Sequence, residues 1–461
     1  MPLRRSSHNP APATETIYAP QFLATTMGMF VLVFLVAFES MAVTTVMPMV
    51  SELLNGERYF ALAFAAPIAS GMLGMVAAGE VTDRWGPKHP LFISVAIFCV
   101  GLLICGSAAN MPMLIGGRIL QGVGGGAITV AIYVLIARAY PGQLHSKIFA
   151  LFATAWVQPA MVGPWLAGLM AVHLGWRWVF SGVAVLVIVA FCAMVPVLKS
   201  LDSERNQELG PVSVKRLGLA GLTGLAVISM NLLGNSNSRW SLAGLALALV
   251  VALVAIRPLL PRGTFLARRG LPATITTRIF ITGAFFGVEV YLPYLLREDY
   301  QLAPDRAGLI LTASALCWSM GSWLQGRLGE KVASSTCITV GSVAGSVAIA
   351  TALATALFHP PVLVLVCGWA VGGFGMGMIF PRQNVNMLAL STKEEQGFNS
   401  SAMSVADSLG NAGATAIGGV IFALAAAGTG FVAVFSFSLV LVLVLIAMSP
   451  RTKGAPALAA R

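Results

Sequence analysis

Long apolar runs, each separated from the next by a few polar or charged residues, recur from about residue 21 to residue 448. About 20 apolar residues wound as an α-helix cross the ~30 Å hydrocarbon core of a bilayer, so each run predicts a membrane span. The spans fall near 21–49, 58–78, 91–109, 113–138, 147–171 and 177–198. Two shorter runs follow near 217–234 and 240–256. Six more lie near 273–296, 306–325, 334–357, 362–381, 398–427 and 430–448. The grouping is six, two and six. It predicts an all-α polytopic membrane protein made of two six-helix bundles with an extra central helix pair. That gives fourteen spans, or twelve if the short central pair lies in the interface. The corresponding divisions are a tail (1–20), a first bundle (21–198), a linker with the extra pair (199–272), a second bundle (273–448) and a closing tail (449–461).

The two six-span groups echo each other. Gly117, Gly122, Gly124 and Gly126 recur at a constant offset as Gly368, Gly373, Gly375 and Gly377, and Arg84, Gly86 and Lys88 find counterparts in Arg327, Gly329 and Lys331. Parallel repeats of this kind build many secondary transporters, with the binding site between the halves. The glycines lie inside apolar spans, where small residues let helix backbones approach. They are therefore read as packing positions rather than as a phosphate cradle.

Composition agrees with lipid as the main solvent. Only 10% of residues are charged against 57% hydrophobic, and the mean hydropathy is +0.85. So little charge cannot cover a water-facing surface of this size. The net charge of +11 sits in the short segments between spans, which points to lipid headgroups rather than nucleic acid. With the N-terminus inside, the inner segments hold Arg4, Arg5, Arg84, Lys88, Arg138, Lys147, Arg327, Lys331, Arg382, Lys393 and Arg451 among others. The outer loops hold only Arg58, Arg177, Arg239, Arg297 and Arg306. This bias predicts two cytoplasmic termini. The six cysteines lie in apolar stretches without metal-ligand spacing, and no metal site is expected. No GxxxxGK[ST] loop is present to bind a nucleotide, and no HExxH or GxSxG motif suggests an enzyme.

Four ionisable side chains read as lying well inside spans: Glu39, Arg118, Glu289 and Asp407. A charge at the bilayer centre costs at least ~2.5–3.5 kcal/mol, so such residues face a partner or a wet pathway. Three acids against one base leave carboxylates available to bind and release protons, because desolvation and wetting move a carboxyl pKa in opposite directions. Glu39 is the leading candidate for proton coupling, with Arg118 as its partner or electrostatic tuner. Two further motifs stand out. Gly79-Glu80-Val81-Thr82-Asp83-Arg84-Trp85-Gly86-Pro87-Lys88 reads as a charged loop between two spans that grips other helix ends through ion pairs. Gly163-Pro164-Trp165-Leu166-Ala167-Gly168, with Pro159 ahead of it, puts helix-breakers and close-packing glycines into one span.

Together these residues resemble the drug:proton antiporter branch of the major facilitator superfamily, particularly its fourteen-helix members. The charged loop is similar to the superfamily pattern at Gly79, Asp83, Arg84, Gly86 and Lys88. Arg118-x-x-Gln121-Gly122 resembles the arginine motif of the fourth helix, and Gly163, Pro164 and Gly168 the antiporter motif of the fifth. Glu39 stands where fourteen-helix members usually carry aspartate, and the fifth-helix motif is shortened. The resemblance implies a transporter driven by the proton gradient and needing no cofactor; the compact loops point to a bacterial plasma membrane, and a monomer is expected. Its cargo would be amphipathic, often cationic, lipophilic molecules exported by alternating access. A dedicated exporter of one metabolite or lipid and a proton-coupled uptake symporter are the alternatives.

Overall fold

The computed structural model describes residues 16–200, 211–234, 241–302, 304–426 and 428–454, and the described residues are helical nearly throughout. The first half comprises α1 (Pro20–Leu53), α2 (Phe60–Trp85), α3 (Lys88–Gly106), α4 (Met111–Ala139), α5 (Gly142–His173) and α6 (Arg177–Ser200). Then come the extra pair, α7 (Val214–Gly234) and α8 (Ser241–Ile256). The second half comprises α9 (Leu271–Glu289) and its short continuation α10 (Leu292–Glu298), α11 (Pro304–Leu328), α12 (Ser334–Phe358), α13 (Val362–Ala389), α14 (Gln396–Leu424) and α15 (Gly430–Met448). Ten of the described helices are long and apolar enough to cross a membrane, with α9 and α10 counted as one. Of the two expected tails, residues 1–15 and 455–461 lie outside the described residues. Residues 449–452 form a 3₁₀ turn that docks on the second half, where the Thr452 carbonyl accepts a hydrogen bond from Asn386 at 3.1 Å.

The glycine repeat is a packing device, as its burial in apolar spans implied. On α4, Gly117 and Gly124 press against α3 at Cys105 and Phe98, while Gly122 and Gly126 press against α2 at Pro67 and Gly71. On α13, Gly368 and Gly375 press against α12 at Thr351 and Gly341, while Gly373 and Gly377 press against α11 at Ser314 and Trp318. A Cβ on any of these would overlap its neighbour. Each half therefore threads one glycine-lined helix between two others, and the alternation of faces is the same in both.

The charged decapeptide is not a loop, as the sequence suggested. Its first seven residues complete α2, which continues about two turns beyond its apolar run through polar residues. Helix continues through these charges because they are matched where they stand, with Glu80 paired to Arg84 one turn on and to Arg216 of α7. Gly86, at φ 75°, breaks it, and α3 starts two residues later at Lys88. The left-handed φ is what reserves this position for glycine.

The extra pair lies across the seam between the halves. Arg216, Gly224 and Val227 on α7 meet Glu80, Ala69 and Met72 on α2, so α7 runs antiparallel along α2. Val227 and Met72 share a small buried cluster with Ala412 of α14, which places α7 in the groove between the two halves.

Candidate functional site

Two buried networks and one seam organise the chemistry. The first network is centred on Arg118, seven residues into α4. Its guanidinium pairs with Glu39 on α1, donates to the Ala63 carbonyl on α2 at 3.2 Å and reaches Gln121 Oε1 at 3.2 Å. Cys105 Sγ of α3 donates to the same Gln121 oxygen at 3.3 Å. Both charged side chains are almost sealed, at 7% and 6% exposure. Arginine suits this place because its several donors can bind three helices at once. In the second half the repeat counterpart of Arg118 is Trp369, which is buried and stacked on Phe285 of α9 with ring centroids 4.5 Å apart. One architectural joint is thus ionic in the first half and aromatic in the second.

The second network holds Asp407, eleven residues into α14. Its Oδ1 accepts from Arg278 Nε at 2.7 Å and from the Thr282 hydroxyl at 2.7 Å, both on α9. Arg278 also donates to Gln383 Oε1 at 3.2 Å and to the Phe380 carbonyl at 3.4 Å, and it lies 3.5 Å over the Phe380 ring. Arg278 was not among the four intramembrane charges read from the sequence, although it falls inside the span predicted at 273–296. Its presence corrects the balance to three acids and two bases. The signal was available: an arginine sits within a run of threonines and apolar residues at Thr274–Thr282. Arg382, counted as an inner-segment charge, is likewise buried on α13, where it caps the end of α11 through the Gly329 and Gln325 carbonyls at 2.8 and 3.3 Å.

Glu289 is the last residue of α9, where the helix breaks before α10. It is partly buried, and its carboxylate forms no hydrogen bond or ion pair among the described residues. At about 100° and 1.5 Å per residue it shares a face of α9 with Thr282, about 10 Å along the helix, and Arg278, about 16 Å along. Glu39 and Arg118 are brought together, Asp407 is joined to Arg278 instead, and Glu289 stands apart from both pairs.

The seam joins the halves at the end of the molecule that carries the decapeptide, here called the hinge end. Asp83 accepts the backbone N–H groups of Gly397 at 2.6 Å and Phe398 at 2.8 Å, in the first turn of α14. A carboxylate facing the unpaired amides of a helix N-terminus meets both their donors and the positive end of the helix dipole. Gly79 lies against Gly397 so closely that a Cβ there would stand 2.7 Å from the Gly397 carbonyl oxygen. Nearby, Gln325 donates to the Ser146 carbonyl at 3.1 Å, and Asn384 to the Tyr133 hydroxyl at 3.4 Å. Glu80, part of the quoted decapeptide but not singled out, is the ionic hub. It pairs with Arg84 at 2.8 Å and with Arg216 of α7 at 2.6 Å, and accepts the Ser213 N–H at 3.2 Å. Arg216 also lies 4.9 Å over the Phe398 ring of α14. The expected grip on other helix ends is therefore real for Asp83, but it works through backbone amides. Lys88 makes no ion pair among the described residues.

The fifth-helix motif packs more loosely than expected. Gly163 contacts Met41 and Phe38 of α1 at ordinary distances, and Gly168 has open space where a Cβ would stand. Pro159 and Pro164 both lie within a continuous α5. Here α5 packs against α1 of its own half and against α11 and α13 of the other, with Gly326 of α11 pressed on Ala150.

Comparison with known proteins agrees with this architecture. The solved structure of the human organic anion transporter MFSD10 (TETRAN) superposes with a TM-score of 0.69 at 12% identity, covering 94% of this chain and all of that one. Multidrug transporter protein MdtP of Bacillus subtilis is 24% identical over 409 residues, or 86% of this chain and 74% of the relative. Riboflavin transporter RibZ of Clostridioides difficile is 24% identical over 359 residues, 76% of each. The family model described as Major Facilitator Superfamily matches residues 29–412, with a second match over 274–460. Two repeated six-helix halves, a hinge-end seam built on Asp83 and a match over most of the length lead to one conclusion: the chain belongs to the Major Facilitator Superfamily.

Proposed function

We propose that this transporter is a proton-coupled antiporter that exports amphipathic small molecules from a bacterial cell, with both termini in the cytoplasm and the hinge end facing inward. The observation that carries the reading is Glu289, a partly buried carboxylate with no base beside it among the described residues. Glu39 and Asp407 are each held by an arginine and exchange protons only when those pairs open. In the state described, the halves are bonded to each other at the hinge end, which suits proton entry from the opposite side. Protonation of Glu289 removes a partly buried charge and, once cargo has left, biases the halves to rock and expose the inward side. No cofactor enters this cycle, and a single chain suffices for it. The name of the multidrug relative MdtP supports broad specificity. The riboflavin transporter, equally similar, favours a second reading, a dedicated metabolite exporter.

The test is transport of Hoechst 33342, an amphipathic dye, into proteoliposomes under an imposed pH gradient, with internal pH followed in parallel. The wild type is expected to concentrate the dye and to move protons the opposite way. Glu289→Gln is expected to abolish accumulation while leaving downhill dye movement. Full gradient dependence in Glu289→Gln would remove Glu289 from the mechanism, and proton movement in the same direction as the dye would make the protein a symporter. Protection of cells against unrelated compounds, rather than one, separates the broad exporter from the dedicated one.

A further inference from the structure

The Asp407 carboxylate is 36% exposed, while its partner Arg278 is 6% exposed. Only one of its oxygens is engaged, since Oδ1 takes both Arg278 and Thr282, and Oδ2 receives no donor among the described residues. The exposed side of α14 continues at Ser408, Asn411 and Thr415, a polar stripe at helical spacing inside a membrane-spanning bundle. The Ser408 and Thr415 hydroxyls are satisfied by carbonyls of their own helix, whereas the exposed Asn411 amide and the open side of Asp407 are costly against hydrocarbon and fit a wet cleft. Tyr133, from the first half, accepts the Asn384 amide N–H at 3.4 Å, and Asn384 Oδ1, buried, has no donor among the described residues. Phe380, half-buried, carries Arg278 on one face and meets the Trp318 ring edge-on with centroids 5.0 Å apart.

The geometry points to a binding site for a flat, uncharged aromatic molecule with N–H or O–H donors, in which Arg278 is the residue that disfavours permanent cations. The site offers one open acceptor without a donor, Asp407 Oδ2, aromatic walls from both halves and a net charge of zero. A neutral donor satisfies that acceptor at little desolvation cost. A permanent cation loses its hydration, and the attraction of Asp407 is offset by Arg278 a bond length away from it. This assignment rests on the transporter reading above and names the kind of cargo its central site takes.

Two probes of the same tricyclic shape test it. Acridone is neutral and carries an N–H and a carbonyl, and 10-methylacridinium is a permanent cation. Binding to the purified full-length protein is read by fluorescence anisotropy. The wild type is expected to bind acridone at least about tenfold more tightly. Arg278→Gln leaves Asp407 uncompensated and is expected to move the affinity ratio at least about tenfold towards the cation. Arg278→Gln/Asp407→Asn restores neutrality and is expected to restore the preference, which a merely structural arginine would not do. If Arg278→Gln does not fold, Asp407→Asn alone carries the test, because its unpaired arginine moves the ratio further against the cation. A ratio that stays fixed across these variants, a wild-type preference for the cation, or binding of neither probe overturns the assignment. Proton-driven dye transport in the experiment above is judged separately, so loss of one reading is not mistaken for loss of the other.

Discussion

Arg118→Gln is expected to be among the most destabilising single substitutions in the first half, lowering stability by about 3–5 kcal/mol. The reason is the company it leaves behind. Removing one partner of a sealed ion pair strands the other charge in a low-dielectric interior, and breaking such pairs typically costs that much. Glu39 would lose its only cation among the described residues, Gln121 Oε1 one of its donors and the Ala63 carbonyl its side-chain donor. Glu39→Gln should cost less than Arg118→Gln, because an amide oxygen still accepts from the guanidinium, although the arginine charge is then unmatched. The double variant should recover part of the loss. The measurement is the thermal midpoint of purified protein for the four species of a double-mutant cycle. Strictly additive losses would show that the two residues do not act as a pair. The second half gives an internal control. Its equivalent joint is the Phe285–Trp369 stack, so Trp369→Phe should cost mainly packing and show no dependence on charge.

Much of this was legible in the sequence because the governing physics is local. Span length, the surplus of positive charge in one set of loops and the glycine offset each follow from lipid thickness, headgroup charge and close helix packing. The partners of the buried charges were not legible. Glu39 and Arg118 are separated by 79 residues, and Arg278 and Asp407 by 129. Only the fold brings them within reach. Arg278 itself was passed over because a lone arginine inside an apolar run does not shift the run's hydropathy enough to interrupt it. The decapeptide was mistaken for a loop for the opposite reason. Its charge density suggested water, whereas Glu80 is neutralised by Arg84 and Arg216, and Asp83 is held by amides of α14. Gly168 illustrates a motif whose residue type suggested contact and whose surroundings are open. Side-chain identity fixed which positions carry chemistry, and topology decided what each of them meets.

Asp83→Ala is expected to shift the protein away from the state closed at the hinge end by about 2–3 kcal/mol, or roughly a hundredfold in the ratio of states. Its carboxylate takes two backbone donors at 2.6 and 2.8 Å in the first turn of α14, and hydrogen bonds to charged groups are worth about 1.5–3 kcal/mol. These bonds cross from one half to the other, so they exist only while the hinge end is shut. Their loss falls on the ratio of states more than on the folding of either half. Asp83→Asn retains an acceptor without the charge and should give a smaller shift in the same direction. Gly397→Ala reaches the same end by steric means, because its Cβ would collide with the Gly79 carbonyl oxygen and stand 2.7 Å from Asp83 Oδ1. The readout is labelling of Ser401→Cys by a membrane-impermeant maleimide. Ser401 is buried at this seam, with its side chain 2.9 Å from where a Gly79 Cβ would stand. Labelling should be slow in the parent and fast in all three variants, and Asp83→Ala/Gly397→Ala should be no faster than the faster single variant, because a seam already open has nothing more to lose. Equal, slow labelling throughout would mean that the two bonds are incidental to closure. Fast labelling accompanied by a collapsed thermal midpoint would place Asp83 in the folding of α2 rather than in the movement of the halves.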